Sequence, residues 1–239
     1  MIRGEAASIS RLLCACVGVL LIGGAYAASE QRRVPDTMAQ RVVPCTGCHG
    51  KEGRATPDGY FPRIAGKPAG YLYNQLLNFR DGRRHYPLMV YLVEHLTDDY
   101  LREMARHFSA LDLPYPAPQT ATATGELITR GEALVKRGEP SRRIPGCVEC
   151  HGQNLLGIEP NVPGLLGLAR DYIYSQLGFW KNGERRAHAP DCMATIASRM
   201  TPDDVRAVST WLAAQPVPPG AKPSAALPAQ LSLRCGSIE

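Results

Sequence analysis

The chain has 239 residues, of which 44% are hydrophobic and 21% charged, the ordinary composition of a globular protein. Its formal charge of +5 is spread thinly. Residues 28–118 hold twelve basic against ten acidic side chains, and residues 119–239 hold thirteen against eleven. With 7% aromatics and no basic tract, this balance excludes a nucleic-acid-binding surface.

The first segment reads as an export signal. Arg3 and Arg11 give a basic start, Leu12 to Ala25 is apolar, and Ala25-Tyr26-Ala27 is a small-x-small cleavage site, which assigns residues 1–27 to the signal peptide. The apolar stretch is shorter than the ~20 residues a spanning helix needs, so a retained anchor is the weaker reading. Cys14 and Cys16 would be removed with the signal. A mature chain starting near Ala28 is about 210 residues long, which suits two small domains better than one large one.

The mature chain then reads as helices. A first helix should lead into Cys45-Thr46-Gly47-Cys48-His49, and a second should cover Tyr71 to Phe79. A third starts at Thr97 and carries Leu101, Met104, Ala105 and Phe108 on one face. Pro114, Pro116 and Pro118, followed by Gln119-Thr120-Ala121-Thr122-Ala123-Thr124, mark a linker. Glu126 to Lys136 is the clearer copy of the leading helix and precedes Cys147-Val148-Glu149-Cys150-His151. Tyr172 to Trp180 is the next helix. In the last, Thr201 is an N-cap, Pro202 fits the first position, and Asp203 and Asp204 suit the positive end. Val205, Val208 and Leu212 form its apolar face. From Pro216 onward the Pro- and Ala-rich chain suggests an extended tail, and no stretch reads as a β-sheet.

Self-alignment turns this series into a duplication. Pro62-Arg63-Ile64-Ala65-Gly66 matches Pro163-Gly164-Leu165-Leu166-Gly167 at an offset of 101. Tyr73-Asn74-Gln75-Leu76 matches Tyr174-Ser175-Gln176-Leu177, and Phe79-Arg80-Asp81-Gly82 matches Trp180-Lys181-Asn182-Gly183, at the same offset. Met89 and Met193, and Thr97 and Thr201, match at 104, as a three-residue loop insertion would produce. So long a period indicates a duplicated domain rather than a solenoid. The boundaries that follow are 28–118 for an N-terminal domain, 119–216 for a C-terminal domain and 217–239 for the tail.

Each half carries one Cys-x-x-Cys-His, the attachment site of c-type haem. Cys45 and Cys48, and Cys147 and Cys150, would form thioethers to the haem vinyls, while His49 and His151 would bind the irons. A shared structural zinc is the competing reading. Zinc ribbons, however, separate their Cys pairs by roughly 15–20 residues, whereas 98 residues lie between Cys48 and Cys147. A thioredoxin-like dithiol would need a βαβ setting, and none is visible. Two covalently bound haem c groups are therefore expected. Their assembly needs a compartment outside the cytoplasm, the periplasm, in agreement with the export signal.

The partner opposite each His decides whether a haem carries electrons or binds a substrate. Met89 and Met193 are the candidates, 40 and 42 residues after His49 and His151 and at matching places in the repeat. Other readings remain open. A Met at either place can fill a core gap. His85 or His188 can supply a second imidazole, and Cys192 a thiolate at the second haem. Met104 and Met200 read as core, and His95 and His107 as helix surface. Cys192 and Cys235 are the cysteines left over; they form a disulfide or stay free. Pro62 and Pro163 can offer the carbonyls that orient His49 and His151. Arg83, Arg84, Arg185 and Arg186 either pair with haem propionates or are solvated.

These elements resemble the cytochrome c4 family. The resemblance rests on Cys-x-x-Cys-His-Gly, Pro-x-(Ile/Leu)-x-Gly, Tyr-x-x-x-Gln-Leu, a Phe/Trp-x-x-Gly-x-Arg stretch and Met, each present twice. It implies an all-α fold of two tandem cytochrome c-like helical domains, packed about a pseudo-two-fold axis with their haems close together. It also implies a periplasmic dihaem electron carrier rather than an enzyme, with a terminal oxidase, a bc1-type complex or a dehydrogenase as redox partner. Association with the membrane surface is compatible with this role. Two alternatives stand beside it: an electron-transfer subunit of a flavin, quinone-cofactor or sulfur-oxidising dehydrogenase, and a dihaem enzyme with an open or thiolate-bound haem. The unequal loops, Cys192 beside Met193 and the long tail depart from the family pattern.

Overall fold

Residues 34–120, 123–225 and 231–238 are described by the computed structural model. The export signal, with Cys14 and Cys16, lies outside them. Residues 34–36 belong to a separate N-terminal unit and are exposed and irregular; residues 37–239 form the other unit, which carries everything below.

The first half contains α1 (Met38–Arg41), α2 (Val43–His49), α3 (Ala69–Arg80), α4 (Pro87–Val93) and α5 (Asp98–Ser109). The second contains α6 (Gly125–Arg137), α7 (Cys147–His151), α8 (Arg170–Lys181), α9 (Cys192–Arg199) and α10 (Pro202–Ala213). The helices expected at Tyr71–Phe79, Glu126–Lys136 and Tyr172–Trp180 are present, each extended by a residue or more at both ends. The leading helix of the first half is only four residues long. It runs into Val42, after which Pro44 sits in the first turn of α2.

The final helix of each half is set by its cap. Thr97 Oγ1 accepts from Tyr100 N at 3.3 Å. Thr201 Oγ1 accepts from Asp204 N at 3.1 Å while the Asp204 carboxylate accepts from Thr201 N at 2.9 Å, a reciprocal box. Apolar residues at helical spacing then face inward. Leu101, Met104, Ala105 and Phe108 of α5 pack with Leu72 and Phe79 of α3, Val93 and Val42. Val205, Val208, Trp211 and Leu212 of α10 pack with Leu134 and Val135 of α6 and with Ile173 and Leu177 of α8. Each half thus has a core of its own. Helices α6 and α10 cross so closely that a Cβ on Gly131 would lie 2.3 Å from the Ala207 carbonyl oxygen.

The sequence pattern missed one β-element. Gly157–Ile158 pairs antiparallel with Val162–Pro163, in the register Gly157 to Pro163 and Ile158 to Val162. Two-residue strands are too short to show a period, but their buried backbone still needs hydrogen-bond partners. The tail supplies two more. Ser224 N donates to Gly157 O at 2.9 Å, and Glu159 N donates to Ser224 O at 2.8 Å. At Ser224 the tail therefore lies along the second half, and Cys192 and Cys235 join as a disulfide. The Pro-rich linker is extended and likewise held. Arg63 donates to the carbonyls of Leu113 and Pro114 and lies over the Tyr115 ring. Among the described residues no helix is long and apolar enough to cross a membrane.

Asp204 is the electrostatic anchor of the second half. Its side chain is buried and accepts from Arg130 at 2.8 Å and from Arg142 at 2.6 Å. Burial alone would raise its pKa, but the two guanidiniums and the Thr201 groups outweigh that and hold it well below the usual carboxylate range. A depressed carboxylate stabilises the fold above its unfolded value of about 3.9, and that stabilisation drains away as the pH falls below it. Asp204→Ala is expected to cost about 3 kcal/mol in chemical denaturation at neutral pH, a deficit that narrows in acid. Reducing the disulfide, which closes a loop with a sequence separation of 43, is expected to lower stability by about 3 kcal/mol in the same assay.

Candidate functional site

In both motifs the two cysteines and the histidine stand at i, i+3 and i+4 of a short helix, α2 or α7, and so share one face. The helix ends directly after the histidine because Gly50 and Gly152 take positive φ values of 74° and 83°. A side chain at Gly50 would collide with the Ala55 carbonyl oxygen at 2.3 Å. The reversal brings the chain back to the Pro62 and Pro163 turns.

There the histidines are held. His49 Nδ1 lies 2.8 Å from Pro62 O, and His151 Nδ1 lies 2.8 Å from Pro163 O, as the repeat suggested. A carbonyl only accepts, so Nδ1 carries the proton and Nε2 keeps its lone pair. Both imidazoles are buried, and burial pushes their pKa values down. A neutral ring with a free Nε2, fixed in direction, is the form in which histidine binds iron. Burial also raises the Cys45 and Cys150 thiols, and takes Cys147 up to about 12. The zinc alternative fails on geometry. Cys45 packs against the first core and Cys147 against the second. Among the described residues no three His, Cys, Asp or Glu side chains converge.

Met89 lies in α4 and Met193 in α9. Each is partly buried against the same core as the first cysteine of its own motif. The competing ligands are placed differently. His85 is exposed. His188 Nε2 lies 3.4 Å from Arg83 Nη2, against the other half of the chain. Cys192 is engaged with Cys235, so its sulfur is not a free thiolate. Met104 and Met200 are buried core residues, as expected. His107 lies on α5, whereas His95 lies in the turn after α4 rather than on a helix.

The four arginines that look equivalent in sequence divide into two kinds. Arg83 pairs with Asp81 at 2.7 Å and lies near His188, while Arg186 is exposed and donates to the Gly82 carbonyl at 3.4 Å, so both also touch the other half. Arg84 and Arg185 meet where the halves join, their backbones forming an antiparallel bridge. Arg84 donates to Gln75 of its own half at 3.1 Å, and to Gln176 at 2.8 Å and Tyr172 at 3.1 Å of the other. Arg185 mirrors it, donating to Gln176 at 2.7 Å and across to Gln75 at 2.9 Å. Their guanidiniums lie over Phe79 and Trp180, residues that also match in the repeat. The polar partners named here are all neutral. The positive potential is strong enough that Tyr172, which burial would push up, is held below its ordinary value by the two guanidiniums. Trp180 Nε1 is buried beside them without a hydrogen-bond acceptor. Two uncompensated cations and an orphaned N–H fit an anionic group such as a haem carboxylate. This cross-connection was not read from the sequence, although the matched Gln75/Gln176 and Arg84/Arg185 pairs were its available signal.

No protein-family profile matches the chain. Among curated proteins it is similar to the thiosulfate dehydrogenase electron acceptor of Thiomonas intermedia (strain K12), with 38% identity over 76% of this chain and 82% of that protein. It is also similar to cytochrome c4 of Thiocapsa roseopersicina, with 30% identity over 70% of this chain and 85% of that protein. The chain belongs to the cytochrome c4 family. Among solved structures, reduced cytochrome c4 from Pseudomonas stutzeri matches with a TM-score of 0.63 and 26% identity, covering 74% of this chain and 96% of that one. A thiosulfate dehydrogenase from Marichromatium purpuratum matches with a TM-score of 0.65 and 31% identity, covering 72% of this chain but 36% of that one. As a cytochrome c4 the protein is an all-α electron-transfer cytochrome with covalently bound haem c. A double-mutant cycle between Gln75→Ala and Arg185→Met is expected to give a coupling of about 1 kcal/mol in denaturant unfolding, because the pair bonds directly across the two halves.

Proposed function

We propose that the protein is a periplasmic relay that takes electrons from a sulfur-oxidising dehydrogenase of the thiosulfate dehydrogenase type. It passes them to a terminal oxidase or similar acceptor. Residues 28–118 and 119–216 are the two haem domains, 217–239 is the tail, and 1–27 is removed on export. Cys45 and Cys48 attach one haem and Cys147 and Cys150 the other, with His49 and Met89, and His151 and Met193, as axial ligands. The observation that carries the reading is the matched His49–Pro62 and His151–Pro163 hydrogen bonds, which prepare two identical iron-binding imidazoles in one chain.

Haem c supplies one-electron chemistry at its iron. The protein's part is to hold and insulate. The Pro62 and Pro163 carbonyls fix the imidazoles, and the two cores keep water from the buried faces. Met89 and Met193 would hold the irons through soft, neutral thioethers that suit both oxidation states. Arg84, Arg185 and Trp180 would hold the haem carboxylates where the halves meet. The disulfide at Cys192 supports a carrier rather than an enzyme, because it removes the thiolate that an alternative chemistry would need. The choice of donor is supported by the higher identity to a relative named as an electron acceptor, 38%, than to the Thiocapsa cytochrome c4, 30%.

The test is made on the purified protein. Haem analysis is expected to return two haems per chain. Met89→Ala and Met193→Ala are each expected to remove about half of the weak long-wavelength band of Met-ligated ferric haem. Thiosulfate with catalytic thiosulfate dehydrogenase should reduce both haems in stopped-flow. A single haem, an unchanged band or no enzymatic reduction would overturn the corresponding part of the reading.

A further inference from the structure

Lys67 follows the Pro62–Gly66 turn of the first half and is 4% exposed. Its Nζ donates to the Gly164 carbonyl at 2.9 Å, in the second half. Gly164 follows Pro163, whose carbonyl holds His151 Nδ1. The amine therefore sits one peptide away from the group that orients His151. After burial itself and set against the Pro163 bond, its charge is a further influence on that imidazole, and it opposes positive charge there. Lys67 is bonded to a neutral carbonyl, and the charge that acts on it is another cation, Arg63; burial and Arg63 bring the amine down to about 7.

The duplication does not repeat this contact. The position equivalent to Lys67, 101 residues on, is Leu168. His49 feels Arg84 instead, one of the two guanidiniums assigned above to the haem carboxylates. The two sites are thus matched in their ligands but not in the cation standing behind the histidine.

We propose that Lys67 is a positioning residue for the second site, a cation lent by the first half that favours the reduced state of the haem held by Cys147, Cys150 and His151. A fixed positive charge in a poorly screened interior stabilises the iron state that carries one charge fewer. The inference rests on the two-haem reading above.

The experiment is a spectroelectrochemical titration of the holoprotein at about pH 6, where an amine with a pKa of about 7 is mostly protonated. Native protein is compared with Lys67→Met, Lys67→Gln and Lys67→Arg. The two haems are told apart by the bands lost in Met89→Ala and Met193→Ala. Lys67→Gln keeps a donor for Gly164 and removes the charge alone. Lys67→Met and Lys67→Gln are expected to make the second haem about tenfold harder to reduce, about 59 mV for one electron, and to leave the first in place. Lys67→Arg should restore the native value. A second midpoint unchanged by Lys67→Gln, or an equal fall at both haems, would overturn the inference. A native chain that carries fewer than two haems would instead remove the reading on which it stands.

Discussion

An imidazole that binds iron must be neutral, must point one way and must keep pointing that way as the iron's charge changes. Here the constraint is met twice by one contact, a histidine Nδ1–H donating to a proline carbonyl about a dozen residues later. Much of the local structure serves that contact. The short helix brings two cysteines and the histidine to one face, the glycine after it turns the chain back, and the proline turn returns the carbonyl. Burial then keeps the ring unprotonated. Nothing in this arrangement requires a second copy, which is why one domain of this kind is a workable unit for duplication.

Duplication sets a second problem, the join between the copies. The join is a pseudo-two-fold clamp in which each arginine, Arg84 or Arg185, binds a glutamine from its own half and one from the other. Two like charges at such a place repel, and the neutral partners do not cancel them. Under the proposed function, haem carboxylates at this join would offset the two charges and link cofactor binding to assembly of the two halves.

The copies are not left identical. The tail returns to the second half through Ser224 and ends in the Cys192–Cys235 disulfide, beside Met193. Lys67 projects from the first half toward the second site. Both devices bond to the second half, and the positions that match Lys67 and Cys192 in the other copy are Leu168 and Leu88.

The attachment motifs were legible in the sequence by themselves, because they consist of residues adjacent in the chain. A Cys-x-x-Cys-His motif keeps its meaning in any fold, and capped helices such as α10 are governed by side chains three or four positions apart. The 101-residue repeat likewise made two helical halves and two matching prolines readable from the chain alone. The two-residue strands at Gly157 and Val162 were not, since so short a pair has no period. The fate of Cys192, the confinement of the crossed glutamine bonds to Arg84 and Arg185, and the reach of Lys67 to Gly164 could be decided only by the tertiary structure. Each depends on which residues of one half meet the other, or meet the tail, at separations of 43 to 110 positions. No local pattern encodes such a meeting, because packing rather than chain proximity determines it.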